Sequence, residues 1–467
     1  MKKRFAICST IVLLLLLSAC GAPQTLDFSY APEGEELPSL MVETSQTHRA
    51  ELEHVPSAAD FDDAISDDPA SAGLLSESEV ESLLRGHAAM ETVSKEQAQS
   101  DVSLLFRTLQ SAYGAYEYFG QEKFDAAEDA VTQWLSSQDD EIKVSALGEK
   151  LQESLAFMLS HDAHAVIYEP AAEEIEAQVR YEYFFADGFY FSKDVNGSYY
   201  MVNDGERWTL SSFSDEHVSV QPTLLKDGRI VYQPTLFTLR KDAVQSSVTL
   251  KNSSGKAKIY RLDWTESQPL DVDLGTLDYR LIQEDGLTYV SLRSFVSSTY
   301  DNMLARYARE GAKARGSKAV IYDLRGNVGG SDSWPRKWIQ SFLGTQNIIE
   351  TSMLYAQKNS ALFAAENSES LLPEDEGTCF AREVHGTWYE NDIPIIVLVD
   401  DHCGSSGEGA VQLLKTLDNV LIVGSNTAGY QLCGNISTFT LPYTGIGVRF
   451  GSTLFLYGDG ENVDHRG

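Results

Sequence analysis

At 467 residues the chain is too long for one ordinary hydrophobic core, so two or three domains are expected. Hydrophobic residues make up 43%, enough for a large core, and the formal charge of −33 argues against nucleic acid as a partner, because phosphate binding needs clustered Lys and Arg. The same charge argues against adhesion to an anionic membrane through a basic patch and suits a protein kept soluble outside a cell.

Residues 1–20 read as an export signal. Lys2, Lys3 and Arg4 precede the apolar run Ile11 to Leu17, which is too short to span a bilayer comfortably. Small residues then lead into Cys20, in a pattern that resembles a bacterial lipobox. That resemblance implies that the Cys20 thiol receives a diacylglyceryl group and becomes the first mature residue, since two acyl chains anchor stably where one is marginal. It places the protein outside the cytoplasm, lipid-anchored to the cell membrane; the alternative is an ordinary secretory signal with an incidental Cys.

Residues 21–94 are acidic and poor in aromatics, with Asp60, Asp62, Asp63, Asp67 and Asp68 crowded into one run. This stretch reads as a disordered, solvated tether, and the ligand spacing of a calcium loop is missing. Residues 95–178 read as a helical domain: Val102, Leu105, Leu109 and Tyr113 repeat on one face, and Leu147, Leu151, Leu155 and Leu159 on another. Between 179 and 275 short β-like runs alternate with Asn-Gly, Asp-Gly and Ser-Gly turns, which fits either a β-rich insert or a degenerate PDZ-like domain.

Residues 276–467 alternate strand and helix. Tyr289 to Leu292, Lys318 to Leu324, Ile393 to Asp400 and Val420 to Gly424 read as strands, and a helix carries Met303, Leu304, Tyr307 and Ala308. The pattern predicts an α/β core with a mainly parallel sheet. Of the cysteines outside the signal and Cys20, a pair among Cys379, Cys403 and Cys433 could form a disulfide, and the sequence does not select which. No spaced Cys or His ligands suggest zinc.

Three segments of the α/β region carry chemistry. Val320 to Gly330 delivers a buried strand into the Gly-rich turn Arg325-Gly326-Asn327-Val328-Gly329-Gly330. Ile395 to Ala410 delivers a second strand through Cys403-Gly404-Ser405-Ser406 into a helix, placing a hydroxyl beside a helix N-terminus that favours negative charge. Either serine could instead serve only as the helix N-cap. Leu421 to Tyr430 is a third strand end containing Gly424 and Thr427.

Together these segments resemble the tail-specific, or C-terminal processing, protease family of serine peptidases. The resemblance implies a crotonase-like α/β catalytic core, a peptide or protein substrate and no cofactor. Ser405 stands where the family has its nucleophile, three residues before the helix Glu. Gly329, Gly330 and Ser406 are implied as oxyanion-hole residues. Tyr430, followed by Gln431, occupies the position where the tail-specific branch has its Lys base, and a phenol titrating near pH 10 is a poor base for serine.

The tricorn-like branch of the family lacks that Lys and uses histidine. Ser160-His161-Asp162-Ala163-His164 resembles its motif, with His164 as the base; an imidazole near pKa 6.5 suits the task at neutral pH. His161 and His402 are competitors. Asp464 matches the acidic position that would orient the imidazole, with Glu461 as the alternative. In the family the glycine matching Gly467 is usually followed by a Pro-Asp pair and a closing strand, so further residues are expected. The implied reaction is amide hydrolysis by acyl transfer; the alternatives are an inactive relative that binds peptides or an envelope partner, and an esterase.

Overall fold

The computed structural model describes residues 37–57, 75–168, 182–186, 188–203, 205–215, 217–225, 229–238, 245–266, 278–296, 301–366, 377–458, 460, 462 and 464. Residues 1–20, with Cys20, lie outside them, as do Glu461 and the Asp60 to Asp68 run. The architecture is mixed α/β, and the chain divides into two compact units. The smaller is built around residues 181–268, the larger from residues 41–180 and 269–467.

The smaller unit is two antiparallel sheets. One runs Ala257–Leu262, Ser246–Lys251, Glu206–Phe213, Tyr199–Asn203, Ser192–Lys193; the other runs Trp264–Glu266, Glu182–Ala186, Ile230–Thr238, Val218–Leu224. Residues alternate between core and surface, as a half-buried strand requires: Ser246, Val248 and Leu250 point inward, joining Phe191, Met201, Trp208 and Tyr232.

In the larger unit a five-stranded sheet follows the order Tyr279–Glu284, Leu287–Leu292, Ala319–Asp323, Ile395–Val399, Val420–Gly424. The first pair is antiparallel and the other three pairings are parallel, as the alternating pattern predicts. Val320, Tyr322, Ile395 and Val397 are buried against helices that include Asp301–Ala314, Ser333–Leu343 and Ser406–Leu414. A second sheet, Cys379–Val384, Met353–Lys358, Gly447–Tyr457 and Cys433–Thr440, is antiparallel, and Val166–Tyr168 pairs onto Gly447–Tyr457.

The helices predicted between 95 and 160 form, including Lys95–Ala112, Gln121–Ser136 and Val144–Ser154. They are not a domain apart. Leu105, Leu109, Leu147 and Leu151 share one core with Phe439, Val448, Phe450 and Leu454 of the second sheet. Each such buried side chain stabilises the assembly by about 1.5–3 kcal/mol.

The stretch expected to be a tether also differs. Helices span Leu37–Leu52 and Glu77–Leu84. The second is nucleated by a capping box in which the Ser76 N–H donates to Glu79 Oε2 at 2.8 Å, and Val80 and Leu83 enter the core. The first is tied down at Ser45, whose hydroxyl accepts the Asn419 N–H at 3.0 Å, and at Glu51, which pairs with Lys415. Cys379, Cys403 and Cys433 are all buried free thiols, so no disulfide joins them.

Candidate active site

Because Ala319–Asp323, Ile395–Val399 and Val420–Gly424 run parallel, the loops that leave them gather at one edge of the sheet, where α/β proteins place their ligands. The first loop is braced by Asp323. Its buried carboxylate accepts from Arg325 Nε at 2.9 Å, Arg325 Nη2 at 2.8 Å and Tyr289 Oη at 2.7 Å, and these partners hold it well below the usual carboxylate range despite burial. Asn327, fully buried, then joins three elements. Its Nδ2 donates to Leu292 O at 2.7 Å, its Oδ1 accepts the Gly329 N–H at 2.9 Å, and its carbonyl accepts the Gly404 N–H at 2.9 Å.

The glycines of this loop are required by contact. A Cβ on Gly329 (φ +101°) would lie 2.8 Å from Ser405 Cβ and 3.0 Å from Ser406 N. One on Gly330 (φ +138°) would lie 2.1 Å from Phe295 C. The loop is thus pressed against the second loop at the two serines.

Ser405 sits at φ +53°, ψ −122°, immediately before the helix Ser406–Leu414. Left-handed backbone at a residue other than glycine costs on the order of 1–3 kcal/mol and persists only where the surroundings impose it. Here the turn from buried strand to helix imposes it. The Ser406 hydroxyl is committed, donating to Gly330 O at 2.9 Å. Both serines line a cleft of about 650 Å³, with Gly330, Tyr430 and Gln431.

Glu408 connects the second loop to the third. It is fully buried, and its Oε2 accepts the Ser405 N–H at 2.9 Å and the Tyr430 N–H at 2.8 Å. Its Oε1 accepts from Thr427 Oγ1 at 2.6 Å and the Gly429 N–H at 2.8 Å. Burial pushes its pKa up while these donors pull it down. In sequence Glu408 serves only to set the register of Ser405; the four donors come from residues that only the fold brings together.

Of the three expected oxyanion donors, Gly329 drops out, because its N–H already serves Asn327. The N–H groups of Gly330 and Ser406 engage no acceptor among the described residues. Ser406 N stands at the N-terminus of a helix, where the aligned peptide dipoles favour an anion.

The structure does not join His164 to Ser405. The imidazole is buried and packs edge-on against the Tyr430 ring, centroids 5.0 Å apart. Tyr430 in turn touches the Ser405 loop: a Cβ on Gly404 would lie 3.3 Å from its Cδ2. The imidazole Nδ1 has no hydrogen-bond partner among the described residues. Burial, aided by the Arg449 charge, pushes its pKa down to about 3, well below the imidazole range expected from sequence.

Asp464 does not reach the imidazole ring either. One carboxylate oxygen accepts the Ala163 N–H at 2.9 Å, and the other accepts the N–H groups of Gln431 at 2.6 Å and Leu432 at 2.8 Å. It therefore latches the segment before His164 to the segment after Tyr430. Asp162, also buried, accepts the His164 N–H at 2.9 Å and Tyr113 Oη at 2.8 Å. Of the competing histidines, His161 is exposed, its Nδ1 2.9 Å from Phe157 O, and His402 Nδ1 lies 2.8 Å from Asp401 Oδ1.

Burial, and then the neighbouring Asp162 carboxylate, pushes Asp464 up to about 8; burial pushes Asp162 up as well. A carboxyl whose pKa is raised by folding stabilises the native state fully below its ordinary range near pH 4, and that contribution is lost as the pH rises towards 8. The urea midpoint is accordingly expected to fall between about pH 4 and 8, with a slope of at most about 1.4 kcal/mol per pH unit for this group. Asp162→Asn should flatten the slope whatever its effect on absolute stability. An unchanged slope would show that the two carboxyls do not interact.

Residues 286–467 match the family described as Peptidase family S41, well under half of the chain; His164 lies outside the match. No curated protein matches the chain. Among solved structures, mature CPAF is 13% identical, with 79% of this chain and 91% of that one covered and a TM-score of 0.40. The photosystem II D1 C-terminal processing protease is 15% identical, with 79% and 90% covered and a TM-score of 0.37. A lipoprotein from Streptococcus agalactiae is 16% identical, with 81% and 91% covered and a TM-score of 0.33.

Proposed function

We propose that the chain is an exported serine peptidase of the tail-specific protease type, nearer its tricorn-like branch, with a crotonase-like core and Ser405 as the nucleophile. The observation that carries this reading is the strained backbone of Ser405 at a strand-to-helix junction, facing the Gly329-Gly330 turn inside the segment that matches the S41 family. Ser405 Oγ attacks the substrate carbonyl carbon, and the oxyanion is received by the N–H groups of Gly330 and Ser406. The hydroxyl proton passes to a base and then to the leaving amine, and water hydrolyses the acyl-enzyme.

His164 is our candidate base. Supporting it are an imidazole nitrogen without a partner and contact with Tyr430, which lines the cleft. Direct transfer requires Tyr430 to turn aside. Asp464 holds the His164 segment in place through Ala163 rather than through the imidazole. His164→Ala should lower kcat/KM by roughly 10²-fold. Since the imidazole is already neutral in the free protein, kcat/KM should not rise between about pH 5.5 and 7.5 on its account. Full activity in His164→Ala would remove it from the mechanism.

A second reading, a catalytically inactive relative that binds peptides, is favoured by the missing His164–Ser405 hydrogen bond. A fluorophosphonate separates the two: an adduct mapped to Ser405 identifies an enzyme, and peptide against ester turnover then separates peptidase from esterase. An adduct on Ser406 would shift the register by one.

Membrane attachment through Cys20 completes the proposal. No helix among the described residues is long and apolar enough to cross a membrane. Cys20→Ser should release the protein from the membrane fraction or leave the precursor unprocessed; a processed variant that stays attached would defeat the assignment.

A further inference from the structure

Beside the Ser405 cleft lies a second cavity of about 470 Å³, faced on one side by His48, Glu51 and His54, from the helix Leu37–Leu52 and the turn after it. The two cavities share Thr351, Gln431, Phe455 and Tyr457, so they adjoin across these residues as neighbouring lobes. The wall is fixed in place. Leu52 O accepts from the Ser352 hydroxyl, whose oxygen accepts the Gly386 N–H at 2.9 Å, and Ser45 is held by Asn419.

The lobe is lined by apolar side chains such as Leu52, Leu432 and Phe455 together with polar ones, and it is nearly uncharged. Glu51 and Lys415 pair with each other, and Gln412 and Gln431 supply amides. His48 is only 7% exposed, and its Nδ1 has no hydrogen-bond partner among the described residues. Burial, then the Lys415 charge, pushes it down to about 4, so it is a neutral imidazole at pH 7.

We propose that this lobe is an extended substrate subsite: a peptide bound at Ser405 continues over Gln431 and Tyr457 and lays an uncharged segment against the helix that carries His48. The inference rests on the reading of Ser405 as a peptidase nucleophile. It makes a segment outside the S41-matching residues a determinant of substrate length. Contacts remote from the cleaved bond can be used to raise kcat/KM, so longer peptides should be cleaved better than short ones.

The test uses the full chain, with fluorophosphonate labelling first, a short acyl ester, and peptides of increasing length rich in Ser, Thr, Asn and Gln. His48→Phe adds bulk at the wall of the lobe, and His54→Trp narrows it from an exposed position that tolerates substitution. Either variant should raise KM for the longest peptides roughly tenfold more than for the short ester. Equal effects on short and long substrates in both variants, or no effect on either, overturn the subsite. If the unaltered protein does not label, the peptidase reading fails separately. Calorimetric binding of the longest peptide then decides the lobe: weaker binding to His54→Trp supports it, and equal binding overturns it.

Discussion

Ser405→Ala is expected to lower peptide turnover by about 10⁴-fold or more and to abolish fluorophosphonate labelling, while the protein still folds. The size of the effect follows from the chemistry, since a methyl group cannot form the acyl-enzyme and only slow attack by water, aided by the oxyanion donors, is left. Ser406→Ala is the matched control. It removes the hydroxyl's bond to Gly330 O, which costs about 1 kcal/mol of stability, and leaves Ser405 in place. Mass spectrometry of the labelled protein and thermal unfolding of both variants read the two effects apart. Undiminished labelling of Ser405→Ala would mean that another residue carries the reaction.

The largest loss of stability is expected at Glu408. In Glu408→Gln the side chain keeps its shape, but an NH₂ group replaces one of two oxygens that each accept two donors. If the amide nitrogen takes the place of Oε2, it faces the N–H groups of Ser405 and Tyr430, leaving two donors unsatisfied at about 1–3 kcal/mol each. A drop of roughly 3 kcal/mol, or on the order of 3–5 °C in melting temperature for a unit of this size, is the expected result. Labelling of Ser405 should slow as well, because the Ser405 N–H no longer fixes the turn. A melting temperature within a degree or so of the unaltered protein would show that the carboxylate is not what closes the three loops together.

The elements that position Ser405 were legible because local signals agree with the fold. Ile395 to Val399 is a short apolar β-branched run, Gly404-Ser405-Ser406 breaks it, and the helix follows, each within a few residues of the others. The glycines at 329 and 330 were legible as a turn; that Asn327 would take the Gly329 N–H was not, because the partner is a side chain folded back on its own loop. The two N-terminal helices were misread as tether from their acidity. The Ser76 to Glu79 capping box was there to be found, whereas the helix Leu37–Leu52 is held by Asn419 and Lys415, more than three hundred residues away. The same distance hid the Asp464 latch: the family resemblance marks it as an acid for histidine, yet its oxygens are filled by backbone donors from residues 163, 431 and 432. The pKa of His164 was equally out of reach, since burial and then the distant Arg449 charge decide it.

The left-handed backbone of Ser405 also bears on how the chain would drift under selection. Glycine adopts that conformation freely, so Ser405→Gly would recover much of the on the order of 1–3 kcal/mol held there, less the roughly 0.4–1 kcal/mol by which glycine loosens the unfolded chain. A population screened for folding or heat resistance alone would therefore tend to discard the hydroxyl at position 405, and only a screen that rewards turnover would keep it.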